Sequence, residues 1–128
     1  MAAILVSQKY GVAPDATLYT YQTATDGAAS SGSCKQGANK LDRMENLINQ
    51  AIDDGAQIIS ISLSNNEVSS AIKWAIARAI NEGVIIVSSS GNEAIYDDFS
   101  HLGRWSGVVG VTAINTDGTF ASYSSWGN

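Results

Sequence analysis

Residues 84–94, VIIVSSSGNEA, decide how this chain folds. Four consecutive large aliphatic residues, Val84 to Val87, predict a strand buried on both faces, the kind found inside a parallel sheet. The run passes without a spacer into Ser88, Ser89, Ser90, Gly91, Asn92 and Glu93. A dry element ending in small polar groups marks a strand whose carboxyl end opens on a crevice, which is where open α/β sheets place their sites.

Working outward from it, residues 69–82 carry Ile72, Ala75, Ile76, Ala79 and Ile80 on one helical stripe, stopped by Gly83. Before that helix lies a second aliphatic run, IISISL (58–63), itself preceded by a helix over Leu41 to Asp54. Its apolar face is Leu41, Met44, Leu47, Ile48, Ala51 and Ile52, with Gly55 as the stop. Two further runs, TLYTYQ (17–22) and VVGVTAI (108–114), bring the expected strands to four. Strands alternating with helices predict an α/β fold, a doubly wound, three-layer αβα arrangement around a mostly parallel sheet. The opening AAILVSQKYG has helical patterning up to Gly11 but no capping residue before it, so it reads as a helix cut in the middle.

The chain has 128 residues, 45% of them hydrophobic, enough for one modest domain with a single core. Its formal charge of −5 argues against a nucleic-acid partner or an anionic membrane surface, both of which need a basic patch. The apolar AAILV near the start is too short for a membrane span or a signal-peptide core. Cys34, the single cysteine, can neither close an intrachain disulfide nor build a multi-thiolate metal site. It sits in TDGAASSGSCKQGAN (25–39), a glycine-rich stretch that reads as a surface loop. The other long connection, NEAIYDDFSHLGRW, is expected to be ordered because Ile95, Tyr96, Phe99 and Trp105 need burial.

Chemistry-bearing residues are few. Neither SLSNN nor SSSGNE matches the G-x-S-x-G elbow, so Ser88, Ser89 and Ser90 read as hydroxyls closing a strand end. His101 has a pKa range suited to proton transfer, but only Asp97 and Asp98 stand near it in sequence, and it reads as a solvated or core-capping loop histidine. A Cys34–His101 pair lacks anything to lower the thiol pKa. Asp53 with Asp54, and Asp97 with Asp98, are adjacent pairs without the alternating oxygen ligands of a calcium loop, and NTDG (115–118) is turn chemistry. Asn92 differs from these: fixed at a strand end behind a glycine, its carboxamide either donates to a developing oxyanion or makes an Asx-turn, and the residues alone leave both open.

Four ordered segments carry a family resemblance. GVAPDATLY, AIDDGAQIISISLS, AIARAINEGVIIVSSSGNE and VVGVTAINTDGTFASYSSWG together resemble the middle of a subtilisin-like serine protease, a subtilase. The resemblance implies that Asn92 is the oxyanion-hole donor, a role for which subtilisin is the standard example. It implies that Ser62, Leu63 and Ser64 form the edge that pairs with an extended peptide substrate, and that Ser89, Ser90 and Gly91 form the opposite wall of the pocket. Ser64 stands where the family usually has glycine. The Asp, His and Ser motifs of the family's triad are not among these 128 residues, so the expectation is an internal piece of a catalytic domain, truncated at both ends and inactive alone. Such a piece would need the missing parts of the domain as partners. Family members often bind structural calcium and are often secreted, yet no cofactor site is identified here. A rival expectation from another class is a catalytically dead module that still holds extended peptides.

Overall fold

The computed structural model describes residues 1–21, 44–63, 68–96 and 101–127. Ser64, Cys34 with the 25–39 loop, Asp97, Asp98, Phe99 and the first residues of the Leu41–Asp54 helix lie outside them. The chain divides into two compact units, Met1–Leu41 and Asp42–Asn128.

In the first unit, α1 spans Ala2–Val6, and no side chain caps its start. It ends four residues short of the expected Gly11. Ser7 adopts extended backbone (φ −62°, ψ 133°), and its Oγ accepts the N–H groups of Lys9 (3.3 Å) and Tyr10 (3.4 Å). A serine that offers the backbone a local acceptor competes with the helical ladder, and here it wins. The chain then folds back, the Val12 and Ala13 N–H groups donating to the carbonyls of Ile4 (3.1 Å) and Leu5 (2.8 Å). Residues 17–21 form no strand, and Leu18 and Tyr19 are exposed. This corrects the expectation of a strand at 17–22 over its described residues: β-prone side chains give a strand only where the context favours one.

The second unit holds α2 (Met44–Asp53), β1 (Ile58–Ile61), α3 (Ser70–Asn81), β2 (Ile85–Ser89) and β3 (Val108–Val111). The three strands are parallel in the order β1-β2-β3, with Ile58 opposite Ile85 and Ile86 opposite Val108. Among the described residues the sheet therefore has three strands, not four. Both long helices stop as the glycines predict. Gly55 (φ +81°) and Gly83 (φ +75°) sit in the left-handed region, while the Ala56 and Val84 N–H groups reach back to the carbonyls of Ala51 (2.9 Å) and Ala79 (2.8 Å). This is the Schellman closure, and it drops the chain directly into β1 and β2. Helix α3 starts at Ser69, whose hydroxyl accepts the Ile72 N–H (3.3 Å).

The apolar stripes of α2 and α3 close over one face of the sheet. Ile48, Ile52, Ile61, Ile72, Ala75, Ile76, Ala79, Ile86 and Leu102 form the core, with Met44, Ile59, Val84 and Val108 at its margin. Each fully buried isoleucine or leucine contributes about 1.5–3 kcal/mol of hydrophobic stabilisation. Ile80, expected on the buried stripe, is instead 46% exposed. Outside the core, Arg78 ties the two helices together, reaching Asp53 (2.6 Å) and Asn49 Oδ1 (3.1 Å) on α2 and Glu82 (2.8 Å) on its own helix. Pairing with Asp53 and then Glu82 raises its pKa above the ordinary arginine value. On the opposite face of the sheet, Ile58, Ile85, Val109 and Val111 are exposed. No described helix is long and apolar enough to cross a membrane.

Candidate functional site

The parallel register sets the site. Ile61 lies opposite Ser88 and Ser89 opposite Val111, so β1, β2 and β3 all deliver their carboxyl ends to the same side of the sheet. Ser62 and Leu63, following β1, are exposed there, and Ser64 lies outside the described residues. After β2 the chain is pinned almost atom by atom. The Ser90 N–H donates to the Val111 carbonyl (3.0 Å), and the Ser90 hydroxyl donates to the Ser125 carbonyl (2.8 Å). Ser125 returns its own N–H to the Gly91 carbonyl (3.1 Å), and Ala94 donates to the Tyr123 carbonyl (2.9 Å). The Ser125 Oγ accepts the N–H groups of Glu93 and Ile95, each at 3.3 Å. Two residues have positive φ in this turn: Gly91 (+106°), which a glycine adopts freely, and the non-glycine Ala94 (+53°), whose conformational strain is held by the surrounding bonds.

Within this frame Asn92 is exposed. Its backbone N–H donates to Glu93 Oε2 at 2.7 Å, while its carboxamide makes no hydrogen bond among the described residues. The Asx-turn that the sequence left open does not form here. Ser89 is half-buried and Ser90 and Gly91 are buried; the Ser90 hydroxyl is committed to the Ser125 carbonyl, so what it presents to the crevice is bulk rather than a free donor. A cavity of about 440 Å³ is lined by Ser90 together with Gly103, Arg104, Trp105, Ser106 and Thr112. Asn92, Ser62 and Leu63 do not line it.

Three residues emerge that sequence reasoning did not join. His101 is buried, and its Nε2 lies 3.0 Å from Glu93 Oε2; Ser125, also buried, places its Oγ 3.5 Å from the same oxygen. The expected acids beside His101, Asp97 and Asp98, lie outside the described residues. Serine, histidine and carboxylate in one cluster invite comparison with a nucleophilic triad, but the order is wrong. Activation needs the base on the hydroxyl and the acid behind the base. Here the carboxylate stands in the middle and the hydroxyl is already accepting two backbone N–H groups. Ser125 is therefore a structural hydroxyl. The resemblance of FASYSSWG to a family segment was the sole sequence signal for it; nothing in the spacing joined Glu93 to His101. Ile95 and Tyr96, expected to be buried, are exposed, with the Tyr96 ring lying against Trp126 at 6.5 Å. No described group of three or more His, Cys, Asp or Glu residues is arranged to hold a metal ion.

The sequence matches the Subtilase family over residues 1–128. A thermostable alkaline protease of Halalkalibacterium halodurans is 34% identical over 118 residues, covering 91% of this chain but 30% of that protein. Among solved structures, the prenylagaramide maturation protease PagA superposes with a TM-score of 0.61 over 72% of this chain and 35% of its own, at 24% identity. The PatG macrocyclase, solved in complex with peptide, gives a TM-score of 0.56 at 29% identity, over 65% of this chain and 25% of its own. A parallel sheet, strand ends gathered on one side and a match running the whole length of the sequence agree: the chain belongs to the subtilase family of serine proteases.

Proposed function

We propose that this chain supplies the oxyanion donor and the substrate-binding walls for peptide-bond hydrolysis by serine acylation, with Asn92 as the donor. One observation carries the reading: the Asn92 carboxamide is exposed, and bonded to none of the described residues, at a strand end whose surrounding backbone is held by hydrogen bonds to β3 and Ser125. A preorganised neutral donor stabilises charge that develops on a substrate carbonyl without exchanging protons itself. Ser62, Leu63 and Ser64 would pair with an extended peptide by β-augmentation, and Ser89, Ser90 and Gly91 would wall the pocket opposite them. The nucleophile and its proton-transfer partners are not among these residues, and the chain spans about 30% of the length of the alkaline protease. Acylation therefore belongs to a larger catalytic domain.

Calorimetric titration with an extended peptide ending in a free carboxylate tests the donor. Asn92→Ala should weaken binding at least about ten-fold, the scale of one hydrogen bond to a charged group. Unchanged affinity defeats the assignment. A fluorophosphonate probe should leave the 128-residue chain unlabelled, and specific labelling of one serine would show a complete nucleophilic site within it. The exposed Ser62 and Leu63 at the end of β1 also suit a second reading, a peptide-binding module without catalysis. Peptide affinity without turnover even when the remainder of a subtilase domain is present separates that reading from the first.

A further inference from the structure

We propose that Glu93 is a positioning residue for Asn92, clamped in place by His101. The inference rests on the reading of Asn92 as the donor. Every neighbour of Asn92 is fixed from outside the turn: Ser90 by Val111 and Ser125, Glu93 and Ile95 by the Ser125 hydroxyl, and Ala94 by Tyr123. The Asn92 peptide group is held differently, by the adjacent carboxylate at 2.7 Å. A glutamate side chain bonding the preceding N–H must fold back over its own backbone, an entropically costly pose for a long side chain unless its far end is anchored. His101 is that anchor, 3.0 Å away and buried where Glu93 itself is partly open to solvent.

Gly91 shows how tightly the clamp closes. A Cβ at this position would stand 2.5 Å from Glu93 Oε2 and 2.6 Å from His101 Nε2, and φ is +106°. The carboxylate and imidazole thus lie directly over the glycine, and together they set the plane of the peptide from which the Asn92 carboxamide projects. A donor displaced by even about 1 Å loses much of its worth, so this orientation bears on function rather than on stability alone.

The test compares two variants of equal charge. Glu93→Gln keeps an acceptor for the Asn92 N–H, whereas Glu93→Ala keeps none, so the difference between them excludes the electrostatic effect of removing an acid near an anionic ligand. In amide hydrogen exchange followed by NMR on the full chain, the Asn92 N–H should exchange at least about ten-fold faster in Glu93→Ala than in Glu93→Gln. His101→Leu should loosen it as well, and His101→Gln, which retains an N–H donor, should loosen it less. Binding of the carboxylate-ended peptide should be about ten-fold weaker in Glu93→Ala than in Glu93→Gln, and this gap should vanish in the Asn92→Ala background. Equal exchange in the two Glu93 variants, or a gap that survives Asn92→Ala, overturns the proposal. If binding is indifferent to Asn92→Ala, the donor reading fails and the clamp is judged by exchange alone.

Discussion

Ser125 decides more at this site than its size suggests. One buried hydroxyl accepts two backbone N–H groups, from Glu93 and Ile95, and its carbonyl takes the Ser90 hydroxyl. Ser125→Ala leaves both N–H donors short of a partner in a partly buried turn, whose desolvation costs about 1–3 kcal/mol. Urea unfolding should show a loss of that size. Ser90→Ala should cost about 1 kcal/mol or less, because the Ser124 hydroxyl (3.3 Å) still bonds the Ser125 carbonyl. Equal losses would contradict this division of roles. The contrast also shows what sequence can and cannot carry at this scale. The placing of Asn92 just past a strand end is legible, since the aliphatic run and the glycine before it announce where the backbone turns. Its companions Glu93 and His101 are not, because they meet only after the chain has left the strand end and come back.

At the scale of elements, legibility follows local physics. The ends of α2 and α3 are written in Gly55 and Gly83, whose left-handed backbone any other residue adopts at a cost, and the core stripes are written in helical spacing. The end of α1 at Ser7 and the lack of a strand at residues 17–21 are not, because the first depends on a hydroxyl's competition and the second on tertiary context rather than on β propensity. The hairpin after β3 is intermediate. NTDG announces a turn, and the structure closes it with an Ile114–Phe120 bridge and with Asp117 Oδ1 accepting both the Thr119 hydroxyl (2.7 Å) and the Thr119 N–H (3.0 Å). Those bonds, the side-chain one first, hold the Asp117 pKa below its ordinary 3.8. A carboxylate whose folded pKa is depressed adds stability above its unfolded value and loses it as pH falls through the lower folded value. NMR titration should place the Asp117 midpoint below 3.8, and Thr119→Val should move it upward. A midpoint unaffected by Thr119→Val would assign the depression to another group.

At the scale of the whole molecule, the sheet face that is exposed among the described residues bears on behaviour in solution. Ile58 (63% exposed), Ile85 (51%), Val109 (51%) and Val111 (52%) lie on the side of the sheet away from α2 and α3, and parallel sheets are ordinarily covered on both faces. The isolated chain should self-associate with rising concentration, and Ile58→Lys with Val109→Lys should suppress this in light scattering while leaving the core untouched. A wild-type chain that stays monomeric at high concentration would show that the face is tolerated in water. The strand order has a further consequence during synthesis. Because β1 and β2 are parallel, the whole of α3 separates them, and β1 has no partner on this side until that helix has left the ribosome and swung across. A nascent chain paused within α3 therefore presents Ile58, Ile59 and Ile61 as bare, sticky ribbon, and it is in that interval that a holdase would find its client.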